Sequence, residues 1–278
     1  MDVNLHSLAT VAIYILSPVV VFGAVLKIDL NPSYLLLPVI VYIIAALITY
    51  FAYITSKIQL KDSRANLVGM TSGTGNTGYF GLPLILAILG PEAAGIYILM
   101  NIGILINELT FGYYIGARGH HTAKESIAKA LKLPALHAAW IALIVNYFDT
   151  PTPEVFDTYW NYFTGSWVVI GMMLIGIGLG KIEVLKPNLS LLSWLFGYRF
   201  IIWPLLMFIC VYIDRQYLEL YDENVHLMIM LLGLVPLAAN TVAYASNLKL
   251  SASEAALAVL LSTIFALFYI PFMLSFFV

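Results

Sequence analysis

Residues 72–83 read SGTGNTGYFGLP. Gly73, Gly75 and Gly78 spell G-x-G-x-x-G, the fingerprint of a dinucleotide-binding turn. That turn needs a strand before it, a soluble βαβ unit around it and an acidic residue about 20 positions on. Here the glycines lie inside a long apolar run, and Glu92 merely opens the next one. The cofactor reading therefore fails on context, and no cofactor is expected. The same run contains Gly69, Gly81 and Pro83, too many breakers for one unbroken helix. Ser72, Thr74, Asn76 and Thr77 add polar groups that lipid cannot satisfy. This is the pattern of a helix interrupted inside a membrane.

Composition supports that setting. The 278 residues are 62% hydrophobic and 10% charged, with a mean hydropathy of +0.93. Soluble domains run nearer 45–50% apolar and about 25% charged. A single cysteine, Cys210, excludes an intramolecular disulfide and a cysteine-based metal site. Apolar runs long enough to span a bilayer occur at 5–27, 33–56, 65–90, 93–117, 130–149, 163–185, 190–213, 224–247 and 254–277. The first lacks a basic cluster ahead of it and a small-residue cleavage site behind it, so it reads as a permanent helix. The expectation is an all-α polytopic membrane protein with nine transmembrane helices.

Nine spans put alternate connections on opposite sides. Lys57, Lys61, Arg64, Arg118, Lys124, Lys129, Lys132, Lys181, Lys186 and Lys249 then collect on one side; only Lys27 and Arg215 fall on the other. By the positive-inside rule the N-terminus is cytoplasmic and the C-terminus outside, in the cytoplasmic (plasma) membrane.

The chain also repeats itself. AVLKIDLNP (24–32) matches GLGKIEVLKP (178–187), and GLPL around Pro83 matches LVPL around Pro236. An odd number of spans separates the matched elements, so the repeat is inverted, a common build for secondary transporters. The first repeat, 1–117, has four helices with its broken helix at 65–90. A cytoplasmic loop follows at 118–129. The second repeat, 130–278, has five helices with its broken helix at 224–247. That second broken helix carries Gly233, Pro236, Asn240 and Thr241 at the matching depth. Paired interruptions in two halves point to a midplane binding site, where half-helix N-termini favour an anion.

Two motifs carry a resemblance to a known family. NTGYFGLP (76–83) and PLAANTVAYA (236–245) resemble the broken helices of the auxin efflux carrier family, which is related to the bile acid:sodium symporter fold. YILSPVVVF (14–22) is similar to that family's second helix, so the family's first helix is expected to be missing. The resemblance implies a panel of the first, fifth and sixth spans, and a core of the other six with two broken helices crossing inside it. It also implies elevator-type alternating access and a homodimer built through the panel.

Ionisable groups inside a membrane default to function. Glu108 lies within the fourth span, with Asn101 on roughly the same face and Asn107 beside it; Arg199 lies midway along the seventh. Both are candidates for substrate binding or ion coupling, or for a structural charge pair with one another. His137 and His226 open apolar spans and read as interfacial; no histidine has metal-ligand spacing. No nucleophile elbow or H-E-x-x-H appears, so an enzyme is not expected.

The expected function is a secondary active transporter moving a small organic anion, such as a carboxylate or amino acid. Asn76, Thr77, Asn240, Thr241, Ser72 and Asn101 are expected to bind it, with Gly75, Gly78, Pro83, Gly233 and Pro236 breaking the helices. The partners expected are that anion, the lipid bilayer and a second copy of the chain, and not nucleic acid. Two alternatives are a sodium-coupled carrier like the bile acid symporters, and a ligand sensor without turnover.

Overall fold

A computed structural model describes residues 4–27, 32–90, 93–180 and 187–276. Every regular element among them is helical. In chain order these are α1 (Leu5–Leu26), α2 (Leu36–Ser56), α3 (Arg64–Ser72), α4 (Leu82–Leu89), α5 (Ala94–Ala117), α6 (Ala123–Leu131) and α7 (Pro134–Tyr147). They are followed by α8 (Val155–Gly180), α9 (Leu189–Leu218), α10 (Glu223–Leu234), α11 (Asn240–Asn247) and α12 (Ala252–Leu274). Of the repeated lysine–isoleucine–acid stretches, 28–31 and 181–186 lie outside the described residues.

Among the described residues, five helices are long and apolar enough to cross a membrane: α1, α2, α5, α9 and α12. Pairing α6 with α7, which are bent by 49°, raises that to six. The outward face of α2 shows what solvent these helices meet. Val39, Ile43, Leu47, Tyr50 and Ile54 are exposed at helical spacing, while Leu37, Val41, Ile44, Ile48 and Ala52 are buried on the opposite face. A helix apolar on both faces suits a lipid-facing position, because water would not support the outer stripe.

Proline shapes three of these helices in one way. Single π-turns occupy Ala12–Leu16, Thr77–Gly81 and Tyr198–Ile202. Each ends two residues before a proline: Pro18, Pro83 and Pro204. Proline lacks an N–H and its ring presses on the carbonyl one turn earlier. A widened turn relieves that clash without ending the helix.

The two interrupted helices sit where the sequence places them. After α3 the chain leaves helical form at 73–76 and re-enters through the π-turn ahead of α4. After α10 it leaves at 235–239 and resumes as α11. The breaks meet: the Asn76 N–H donates to the Pro236 carbonyl at 2.8 Å.

The segment 118–129, expected as a loop, contains most of α6. Thr122 and Glu125 form a capping box that starts this helix, and Pro134 at the first turn of α7 separates the two. Helix α8 also begins earlier than the apolar run 163–185, and polar residues such as Asp157 and Asn161 occupy its first turns.

Candidate functional site

The crossing is held by one cation. Arg199, on the π-turn of α9, is fully buried. Its Nε donates to the Val235 carbonyl, Nη2 to Leu232 O at 2.8 Å and Nη1 to Thr74 O at 3.2 Å. Those carbonyls belong to both interrupted segments, so a single guanidinium satisfies acceptors that the breaks free. Its plane lies 4.9 Å from the Trp203 ring centroid, and Trp203 Nε1 donates to Ser72 O at 2.6 Å. Gly75 lets the guanidinium approach: a Cβ there would stand 2.8 Å from Nη1.

Glu108 opens the π-turn Glu108–Gly112 of α5. Its carboxylate accepts from Asn240 Nδ2 at 3.0 Å and Thr74 Oγ1 at 3.3 Å. Among the described residues, Glu108 and Arg199 form no ion pair with each other. Thr74 joins them instead, its carbonyl on the arginine and its hydroxyl on the carboxylate. Nearby, Thr77 Oγ1 bonds Asn101 Oδ1, and Asn107 Nδ2 donates to Thr49 Oγ1 and Gly73 O, both at 3.1 Å.

A cavity of about 280 Å³ opens on this arrangement. Its polar end is formed by Asn76, Thr77, Asn101, Glu108 and Asn240, with Gly75 and Gly78 in the same wall. Thr77 and Asn240 each begin a helical segment, and local carbonyls take up the first N–H groups: Thr77 N–H donates to Gly75 O at 2.8 Å and Thr241 N–H to Ala238 O at 3.2 Å. The opposite wall comes from α1 and α8, through Val20, Ala24, Trp160, Thr164 and Trp167. Tyr79 and Trp167 pack with ring centroids 4.9 Å apart. Lys27 also lines the cavity.

The structure therefore brings Asn76, Thr77, Asn101, Glu108 and Asn240 to one cavity. Ser72 and Thr241 are buried but do not line it, and neither does Arg199. Pro83 and Gly233 also lie outside its wall; a Cβ on Gly233 would stand 2.8 Å from Met207 Cγ, so that glycine serves helix packing.

Sequence reasoning missed Lys27, Tyr79, Trp160, Thr164 and Trp167. The last three recur at the spacing of one helical face, the only signal available for them. Among the described residues, the Tyr79 and Thr164 hydroxyls are buried with no hydrogen-bond partner, and both border the cavity.

No protein-family profile matches the chain. Over 182 residues it is 28% identical to a protein of Methanocaldococcus jannaschii named "Uncharacterized transporter MJ1031". The match covers 62% of this chain and 59% of the relative's length, less than two thirds of either. The chain is an all-helical membrane protein with sequence similarity to that transporter.

Proposed function

We propose that the chain is a secondary active transporter that carries a small organic anion across the cytoplasmic membrane. The observation that carries this reading is the cavity that ends on both helix interruptions. Irregular backbone at membrane depth is tolerated where it lines a binding cavity, and transporter sites are built on such breaks. Similarity to a protein named as a transporter supports the same class. In this reading Asn76, Thr77, Asn101 and Asn240 contact the substrate, and Glu108 senses it or a coupled ion.

The finer reading is a member of the auxin efflux carrier type. Nine spans form an inverted repeat of four and five helices, with the N-terminus cytoplasmic. Helices α1, α7 and α8 form a panel against which the remaining helices move, elevator-fashion. The packing of α1 against both α7 and α8 supports that grouping. The placement of the cavity between α1 and α8 on one side and the two breaks on the other supports a division into two groups of helices that meet at the cavity.

Counterflow in proteoliposomes tests this. Purified protein is reconstituted with an unlabelled organic acid inside, and uptake of the same labelled acid is followed. Wild-type protein is expected to exchange at least one of a panel of mono- and dicarboxylates and amino acids. Asn76→Ala and Asn240→Ala are expected to be folded and inactive. Normal exchange by both variants would remove the crossing as the substrate site.

A further inference from the structure

Two oppositely charged side chains line the cavity, each held by different neighbours. At the crossing stands Glu108, 5% exposed, with Asn240 and Thr74 donating to it. Among the described residues, Lys27 is the only basic one that lines this cavity, and its partners are not those of Glu108. The Lys27 ammonium lies 4.1 Å from the centroid of Trp160, a ring that lines the cavity, and 2.9 Å from Asp157, which does not line it. Trp160 is fixed in turn. Its Nε1 donates to Val20 O at 3.1 Å, and its indole packs directly on Gly23, where any Cβ would overlap it. The Lys27 and Asp157 side chains are 42% and 65% exposed, so their pair is solvent-screened and exchangeable. Tyr79 and Thr164 line the same cavity, and among the described residues their hydroxyls have no hydrogen-bond partner.

We propose that Lys27 is the carboxylate anchor of the cavity, that Asp157 occupies the anchor in the substrate's place, and that the substrate is a carboxylate carrying a hydrogen-bond donor at its opposite end. This rests on the proposed function and orients the substrate within it. A carboxylate placed against Glu108 meets a second carboxyl group that already takes the donors of Asn240 and Thr74, whereas at Lys27 it meets an ammonium whose present partner is easily displaced. A hydroxyl, amide N–H or ammonium at the other end finds an acceptor in Glu108 and hydrogen-bonding groups in Asn76 and Asn240. The aromatic walls enclose the body between them.

Three probes separate the ends: 3-(4-hydroxyphenyl)propionate, its carboxamide, which lacks the anion, and 3-phenylpropionate, which lacks the donor. Binding is read from tryptophan fluorescence, since Trp160 and Trp167 line the cavity. Wild-type protein should bind the hydroxy acid tightest. Lys27→Gln should weaken the acid by about three- to tenfold and leave the carboxamide unchanged. Asp157→Asn should tighten the acid by a few-fold, the opposite of what loss of a merely structural ion pair would give. Glu108→Gln should erase the preference for the hydroxylated probe while keeping that for the acid over the carboxamide. If Lys27→Gln keeps the acid preference while Asn76→Ala loses binding, the carboxylate lies at the crossing and this orientation is overturned, with the cavity still the site. If wild-type protein binds none of the three, the orientation and the organic-anion reading fall together.

Discussion

Asn76 and Pro236 hold each other across the crossing: the N–H of one donates to the carbonyl of the other at 2.8 Å. Pro236 frees backbone groups by interrupting its helix, and the opposite interruption supplies a donor to one of them. Arg199 completes the exchange with bonds to Val235, Leu232 and Thr74 carbonyls. Neither break is satisfied wholly within its own helix, so each interrupted segment draws part of its hydrogen bonding from outside it.

Arg199→Met should therefore unfold the crossing. It removes the desolvation penalty of a buried cation, which offsets part of the loss. It also orphans three carbonyls, each at about 1–3 kcal/mol. The second effect is larger, and a net destabilisation of about 2–4 kcal/mol is expected, seen as a fall of several degrees in the thermal midpoint of the detergent-solubilised protein. Arg199→Lys should lie between, since one ammonium cannot reproduce the planar fork. A midpoint unchanged in Arg199→Met would mean that the carbonyls find other donors.

Gly81 and Tyr97 make a second close approach. A Cβ on Gly81 would overlap the Tyr97 hydroxyl and stand 3.0 Å from Cζ. That hydroxyl is buried with no partner among the described residues, so Tyr97→Phe should be close to neutral. Gly81→Ala should cost about 1–3 kcal/mol by overpacking. In the Tyr97→Phe background that cost should shrink by at least half, a coupling that a double-mutant cycle on thermal stability measures directly. Additive effects would place the strain of Gly81→Ala elsewhere, Val235 at 3.1 Å being the next atom met.

Glu108 separates folding from function differently. Glu108→Gln keeps the shape but turns one acceptor toward Asn240 or Thr74 into a donor. A modest stability loss of about 1–2 kcal/mol is expected, together with a fall of tenfold or more in counterflow. Thr74→Val removes one donor to the carboxylate and leaves the Thr74 carbonyl on Arg199. It should lower stability by about 1 kcal/mol and exchange by less than Glu108→Gln does. Equal exchange defects in the two variants would assign Glu108 to holding the crossing rather than to handling substrate.

What the sequence discloses about this protein follows from how local each cause is. Gly73, Gly75, Pro83 and Pro236 act on their own backbone, so the interrupted helices are readable from those positions, whereas Gly233 lies inside α10 and serves packing against Met207. Asn76, Thr77, Asn101 and Asn240 stand out because polar side chains are conspicuous in apolar runs. Arg199 also stands out, but its partners do not: backbone carbonyls carry no sequence signature, and an acidic partner was the natural expectation. Trp160, Trp167 and Lys27 were hidden for a different reason. Aromatic and basic residues near a span's end read as interface anchors, and only packing of α8 against α1 turns them toward a cavity. Helix α6 was concealed by its charges, although Thr122 and Glu125 already spelled a capping box.

That capping box yields the last prediction. Glu125 N–H donates to Thr122 Oγ1 at 3.3 Å, and Glu125 Oε2 accepts from the Thr122 N–H at 2.8 Å. With Ser126 and Ala130 buried on one face and Ile127 and Leu131 exposed on another, α6 is a short helix packed along one side only. A helix of this length is not stable alone, so its first turn depends on the cap. Thr122→Ala removes the side-chain acceptor for one of the orphan N–H groups. Amide exchange across the first turn of α6 should quicken by about three- to tenfold, with no change in α7 or in the thermal midpoint. Thr122→Ser, which keeps the oxygen, should restore the protection. Slow exchange in Thr122→Ala would mean that burial of Ser126 and Ala130, and not the cap, holds the turn.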